Sequence, residues 1–183
     1  AATGDILISV VTASQAGREI SITANNGSIL DNNNDSNDNI TADTFTISAN
    51  NIGAVSGSDV LADPTNSVET NITNLNITSS AADSEIAIVN SSGSALNVLT
   101  LNMGGDSDND TVWIENDSDI DISSIALTGA ANFATGDDIA LIATGDIILN
   151  DGGGILSSDD IELGTDSTVR LSAGGDITAG TAL

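Results

Sequence analysis

The chain has 183 residues and a formal charge of -25, from 27 acidic and 2 basic side chains, with no His, no Cys and no Lys. That composition excludes zinc-finger, thiol, imidazole and disulfide chemistry. It also excludes the basic footprint a nucleic-acid binder needs and the attraction an anionic membrane surface demands.

Hydrophobic residues still make up 39% and aromatic ones only 2%. Ile, Val, Leu and Ala can fill a narrow core, so the high charge does not imply disorder. The acid is 22 Asp against 5 Glu. Asp favours turns and Glu favours helices, so the charge is expected in turns. Length suggests a single domain over 1–183.

Along the chain, apolar residues alternate with polar ones in short runs. Ile6-Leu7-Ile8, Ile20-Ser21-Ile22 and Phe45-Thr46-Ile47 come first. Ile86-Ala87-Ile88, Ile120-Asp121-Ile122 and Val169-Arg170-Leu171 follow. Period two, bounded by Gly, Asn and Asp, predicts many short strands. Segments 31–39, 56–67 and 104–110 interrupt them and read as loops protruding from corners; the single Pro64 lies in the second.

Residues 137–158 align on 159–180 without a gap. Ile139 falls on Ile161, Leu141 on Leu163, Ile147 on Val169, Leu149 on Leu171 and Ile155 on Ile177. Three short strands in about 22 residues predict one coil of a right-handed parallel β-helix. Each coil stacks on the next at about 4.8 Å, so like residues stack on like. The whole chain makes roughly eight such coils at that repeat length, a rod about 40 Å long. Both termini lie inside repeats. The chain is therefore expected to be a segment of a longer solenoid or a subunit stacking head to tail on copies of itself.

Several stretches carry a resemblance. They are Gly-Asp-Ile at 4–6, 145–147 and 175–177, ADTFTISANNIG (42–53), SVETNITNLNITSS (67–80) and SEIAIVNSSGSALNV (84–98). These resemble the repeats of filamentous-haemagglutinin-like and autotransporter-like large bacterial exoproteins. The resemblance implies a β-helix used as an extracellular or cell-surface stalk or adhesin, with no catalytic residues to carry over. Some members of that group bind acidic glycans, and the absence of Lys departs from that property.

The strongest candidate for chemistry is Gly104-Gly105-Asp106-Ser107-Asp108-Asn109-Asp110, where Asp106, Asp108 and Asp110 can converge oxygen ligands on Ca2+. Asp31, Asn33 and Asp35 form a weaker copy. Asp137-Asp138 and Asp159-Asp160 are paired carboxylates of the kind glycoside hydrolysis uses, but they recur at the coil period and read as stacked turn residues. Enzymatic activity is not expected. Trp113 reads as a cap or patch residue. Thr44-Phe45-Thr46 would suit an ice-binding face, but such a face needs aligned ladders over several coils, and the 22-residue repeat offers none.

Eight Asn-x-Ser/Thr sequons permit glycosylation, at Asn26, Asn34, Asn39, Asn71, Asn76, Asn90, Asn109 and Asn116. No apolar run approaches the roughly 18 residues a membrane span requires. The expected function is structural and extracellular, a subunit or segment of a surface filament, stalk or adhesin. The alternative is a module whose loops bind a glycan or host surface.

Overall fold

A computed structural model describes residues 2–32, 35–53, 66–79, 84–103, 111–123, 125–126, 138–149 and 168–179. No helix occurs among them. The strands are β1 (Ala2–Thr3), β2 (Ile6–Ile8), β3 (Val11–Thr12), β4 (Glu19–Asn25), β5 (Ile29–Asp31) and β6 (Ile40–Thr41). They continue with β7 (Thr44–Ala49), β8 (Val68–Asn71), β9 (Asn74–Ser79), β10 (Glu85–Asn90), β11 (Leu96–Met103) and β12 (Thr111–Asn116). The last are β13 (Ile120–Ile122), β14 (Ile125–Ala126), β15 (Asp138–Ala143), β16 (Ile147–Leu149), β17 (Thr168–Ala173) and β18 (Ile177–Ala179).

Their pairing is parallel throughout and makes a β-solenoid. The long sheet runs β1-β4-β7-β9-β11-β13-β16-β18, with β14 also on β11. The facing sheet runs β17-β15-β12-β10-β8-β6-β3, and β2 pairs separately with β5. Alternation decides which side chains go inward. Ile6, Ile29, Ile52, Ile86, Val112, Ile139 and Val169 form one unbroken column, rung upon rung. Ile20, Phe45, Leu75, Val98, Ile122 and Leu149 form the opposing one. β-Branched residues fit such columns because their restricted χ1 packs against neighbours on the pleated surface.

The rungs are not of equal length, which corrects the 22-residue repeat. Ile139 pairs with Val169 rather than Ile161, and Ile147 with Ile177 rather than Val169. Rung-to-rung bonds span 20 residues at Thr70–Asn90, 27 at Asp119–Asp146 and 30 at Asp146–Asp176. The recurring unit is twelve residues long: TVWIENDSDIDI (111–122), DIALIATGDIIL (138–149) and TVRLSAGGDITA (168–179). Each is a six-residue strand, a corner ending in Asp, and a three-residue strand. Segments of variable length join the units.

Among the described residues, three separate short strands per coil are seen in the first rungs. There, β2 and β3 are separate, as are β5 and β6. At β10 the two ladders merge: Ile86 continues the column from Ile52, and Ile88 continues that from Val68. Of segment 31–39, Asp31 ends β5 and Asn39 is buried just before β6, while Asn33 and Asn34 lie outside the described residues. Of segment 56–67, only 66 and 67 lie among the described residues; 104–110 lies outside them. Gly53 sits at the second break with φ 68°, and a Cβ there would meet the Ala87 carbonyl oxygen at 2.7 Å, so only Gly serves.

Candidate functional site

Where the two main sheets meet, the structure buries a polar ladder. Register stacks Ile40, Thr70, Asn90, Asn116, Ala143 and Ala173 in one column. Asn90 and Asn116 are inaccessible to solvent. The Asn90 Oδ1 accepts from the Thr70 hydroxyl at 2.9 Å and the Ile72 N–H at 2.9 Å. Its Nδ2 donates to the Asn116 Oδ1 at 2.8 Å and the Ile72 carbonyl at 3.1 Å. Asn116 in turn donates to the carbonyls of Asp119 at 2.7 Å and Ser94 at 3.0 Å. An asparagine amide can satisfy both a donor and an acceptor of a turning backbone, so it tolerates burial at a corner where an apolar residue would strand those groups.

A second ladder lies just outside it. The Asp119 carboxylate accepts the Asp146 N–H at 2.8 Å, and the Asp146 carboxylate accepts the Asp176 N–H at 2.7 Å. Asp5 takes the Ser28 N–H, Asp117 the Gly93 N–H and Asp138 the Thr168 N–H in the same manner, at 2.8–2.9 Å. Gly-Asp-Ile is thus a corner signature: the carboxylate clamps the neighbouring rung through a charge-assisted bond. Asp138 belongs to this set, and its partner on the next rung is Thr168 rather than the expected Asp160. Asp137, Asp159 and Asp160 lie outside the described residues.

Asp31 and Asp35, proposed as cation ligands, are placed differently from each other. Asp31 is buried at the end of β5 and accepts the Asn39 Nδ2 at 2.8 Å. Asp35 is exposed and accepts the Asn37 N–H at 3.0 Å in a local turn. Asn33, Asp106, Asp108 and Asp110 lie outside the described residues. Among the described residues no three acidic side chains are grouped as metal ligands.

Sequence reasoning missed Glu69. It sits beside this corner, accepts the Ser67 hydroxyl at 2.8 Å, and donates its N–H to the Asn39 Oδ1 at 3.0 Å. Its Oε2 is enclosed without a hydrogen-bond partner. Burial raises its pKa above the ordinary 4.5; the Ser67 bond opposes this, and the Asp31 and Asp35 charges add to it. A raised carboxyl pKa means the fold favours the neutral form. The associated stability is complete below pH 4.5 and is lost as pH climbs through the raised value. Glu69→Gln is therefore expected to melt higher than the parent at neutral pH and to converge with it in acid. Solvent screening keeps the difference small. Thermal melts across that pH range check it.

Trp113 points outward from β12 yet is 3% exposed, enclosed with Ala87, Ala140 and Ile142. The Arg170 guanidinium lies 5.6 Å from its ring centroid, a cation–π pair. Trp113 is thus an enclosed patch residue, with the Arg170 guanidinium over its ring.

Burial also sorts the sequons. Asn39, Asn90 and Asn116 are buried and hydrogen-bonded. Asn26 is exposed, at φ 57° in a turn. Expression in a glycosylating host is expected to leave those three unmodified in folded protein, with Asn26 accessible. Peptide mapping by mass spectrometry reads this directly.

No protein-family model, curated protein or solved structure matches this chain. No helix among the described residues is long and apolar enough to cross a membrane.

Proposed function

We propose that this chain is a structural element of an extracellular filament, stalk or adhesin, built from stacked β-solenoid rungs. The observation that carries the reading is the continuous parallel ladder through eight strands of the long sheet. Its inward columns are apolar, and many of its turn carboxylates are occupied in clamping one rung to the next. Such a rod transmits load along its axis through backbone hydrogen bonds, and needs neither a cleft nor a reactive group to do so. The likeness of its Gly-Asp-Ile and Thr/Asn-rich stretches to haemagglutinin-type and autotransporter-type repeats supports the same role. So does the exposure of Val11 on the first rung and of Val169 and Ile177 on the last, end positions of their columns that a further rung would cover. That rung comes from another copy or from flanking repeats.

Negative-stain electron microscopy tests the reading. Filaments of uniform width support a self-stacking subunit, and isolated rods support a segment of a longer stalk. Compact particles without a long axis contradict both.

Calcium at Asp106, Asp108 and Asp110 belongs to this proposal and rests on their alternate spacing. A bound cation would offset part of the -25 self-repulsion and raise the melting temperature. Coincident melts in calcium and in chelator would remove it from the account.

A further inference from the structure

The outward face of the long sheet carries a pattern that a stalk does not use. Strand register places Ser21, Thr46, Asn76 and Thr100 in one column, and Thr23, Ser48, Thr78 and Asn102 in a second. Thr44, Asn74 and Asn97 form a third. All eleven are hydroxyl or amide side chains on the solvent side of β4, β7, β9 and β11, and none is charged. The chain has 27 acidic groups, and here they are confined to the rim: Glu19 precedes the third column and Asp121 follows it. Between Glu19 and Asp121 these columns carry no charge, which selects against ionic partners.

The face is also regular. β4, β7 and β9 pair without a bulge, and the one irregularity comes at Leu99, between Val98 and Thr100 on the last of the four rungs. The groups therefore repeat at about 4.8 Å across rungs and about 6.6 Å along each strand. They are held in place: Asn76 donates to the Thr46 hydroxyl at 3.4 Å, Asn74 to the Thr44 hydroxyl at 3.4 Å, and Asn97 to the Asn74 Oδ1 at 3.1 Å. Thr adds its own χ1 restriction.

A rigid, neutral, two-dimensional lattice of hydroxyls and amides orders its first layer of water on those same two repeats. Oxygen rows on the prism face of ice run on two perpendicular repeats close to them. Sugar surfaces are matched less well, because the described residues of this face include no aromatic platform. We propose that the outward face of β4, β7, β9 and β11 binds crystalline water, as an ice-adhering surface on the side of the rod. Unequal rung lengths hide the ladders from any search at a constant repeat. The inference does not depend on the stalk reading.

The test is ice growth in a nanolitre osmometer with the full chain. Faceted crystals and a gap between melting and freezing points are expected. Thr46→Lys and Asn76→Lys, at the centre of the lattice, are each expected to abolish both while far-UV circular dichroism and the melting curve stay as in the parent. Asn71→Lys, on the facing sheet, is expected to keep both. Crystals growing as they do in an inert protein at equal concentration overturn the proposal, whatever the variants do. Without ice shaping, two results reassign the face. Sedimentation with microcrystalline cellulose or chitin assigns it to a neutral polysaccharide, and a dimer that Thr46→Lys dissociates assigns it to a second copy of the chain. The rod seen by microscopy survives either result, so failure here is distinguishable from failure of the structural role.

Discussion

Asn90→Ala is expected to lower the unfolding free energy by about 4 kcal/mol. The amide holds the Thr70 hydroxyl, both backbone groups of Ile72, the Ser92 hydroxyl and the Asn116 Oδ1. Alanine would leave the Ile72 N–H and carbonyl and the Asn116 Oδ1 without this partner in a buried corner. Each orphaned buried group costs about 1–3 kcal/mol, and water entering the vacated space recovers part of that sum. Asn90→Asp keeps the shape but sets a carboxylate against the Ile72 carbonyl and the Asn116 Oδ1. It is expected to be at least as damaging at neutral pH and less so in acid, where the carboxyl is protonated and can donate. Urea unfolding with an unchanged m-value reads both. A loss below about 1 kcal/mol for Asn90→Ala would show that water, not the amide, satisfies this corner.

Phe45→Ala is expected to cost about 3–5 kcal/mol. Phe45 is the largest fully buried side chain among the described residues. Ile20 lies on the rung before it and Leu75 on the rung after. The backbone ladders fix the rungs about 4.8 Å apart, so the neighbours cannot collapse into the cavity. Phe45→Leu fills most of the space and is expected to cost under about 1.5 kcal/mol. Because a solenoid rung touches chiefly its neighbours, the damage is also local. Amide hydrogen exchange in Phe45→Ala should accelerate over β4, β7 and β9 and leave β12 and β15 protected. Uniform acceleration along the rod would contradict the one-dimensional packing.

The parallel solenoid was legible because its cause is local. Runs such as Ile86-Ala87-Ile88 and Ile120-Asp121-Ile122 state the pleat directly, and an Asp-rich, Glu-poor acid content places the charge at corners, where Asp119, Asp146 and Asp176 stand. Register was not legible, because alternation with period two looks the same on both sheets. The 22-residue alignment set Ile147 on Val169, the second strand of one unit on the first strand of the next. Both are apolar residues near the start of a short strand, so the mismatch costs nothing in hydrophobic match. The corner Asp residues discriminate: Asp146 matches Asp176 and Asp119 only when the linking segment is left free to vary. In the sequence Asn90 and Asn116 read as sequons, since Asn is common in turns and its inward position follows only from register. Apart from Ser67, the groups that surround Glu69 give no local signal, for Asn39, Asp31 and Asp35 lie thirty or more residues away in sequence. The neutral columns are hidden in the sequence for the same reason as the Asn ladder, because no constant repeat fits rungs of unequal length.

Register is therefore the claim on which the rod, the Asn ladder and the neutral face all rest, and the chain contains no Cys to complicate testing it. Ile142 and Ser172 are partners on adjacent rungs. Their Cα atoms, about 4.8 Å apart, lie within disulfide range. Mild oxidation of Ile142→Cys/Ser172→Cys should give an intramolecular disulfide in high yield, seen as a mass loss of two hydrogens and a non-reducing gel shift. Ile142→Cys/Gly164→Cys, the pair that a 22-residue coil would juxtapose, should remain reduced under the same conditions. Efficient crosslinking of the second pair with none in the first would contradict the register, and with it the account given of the rod.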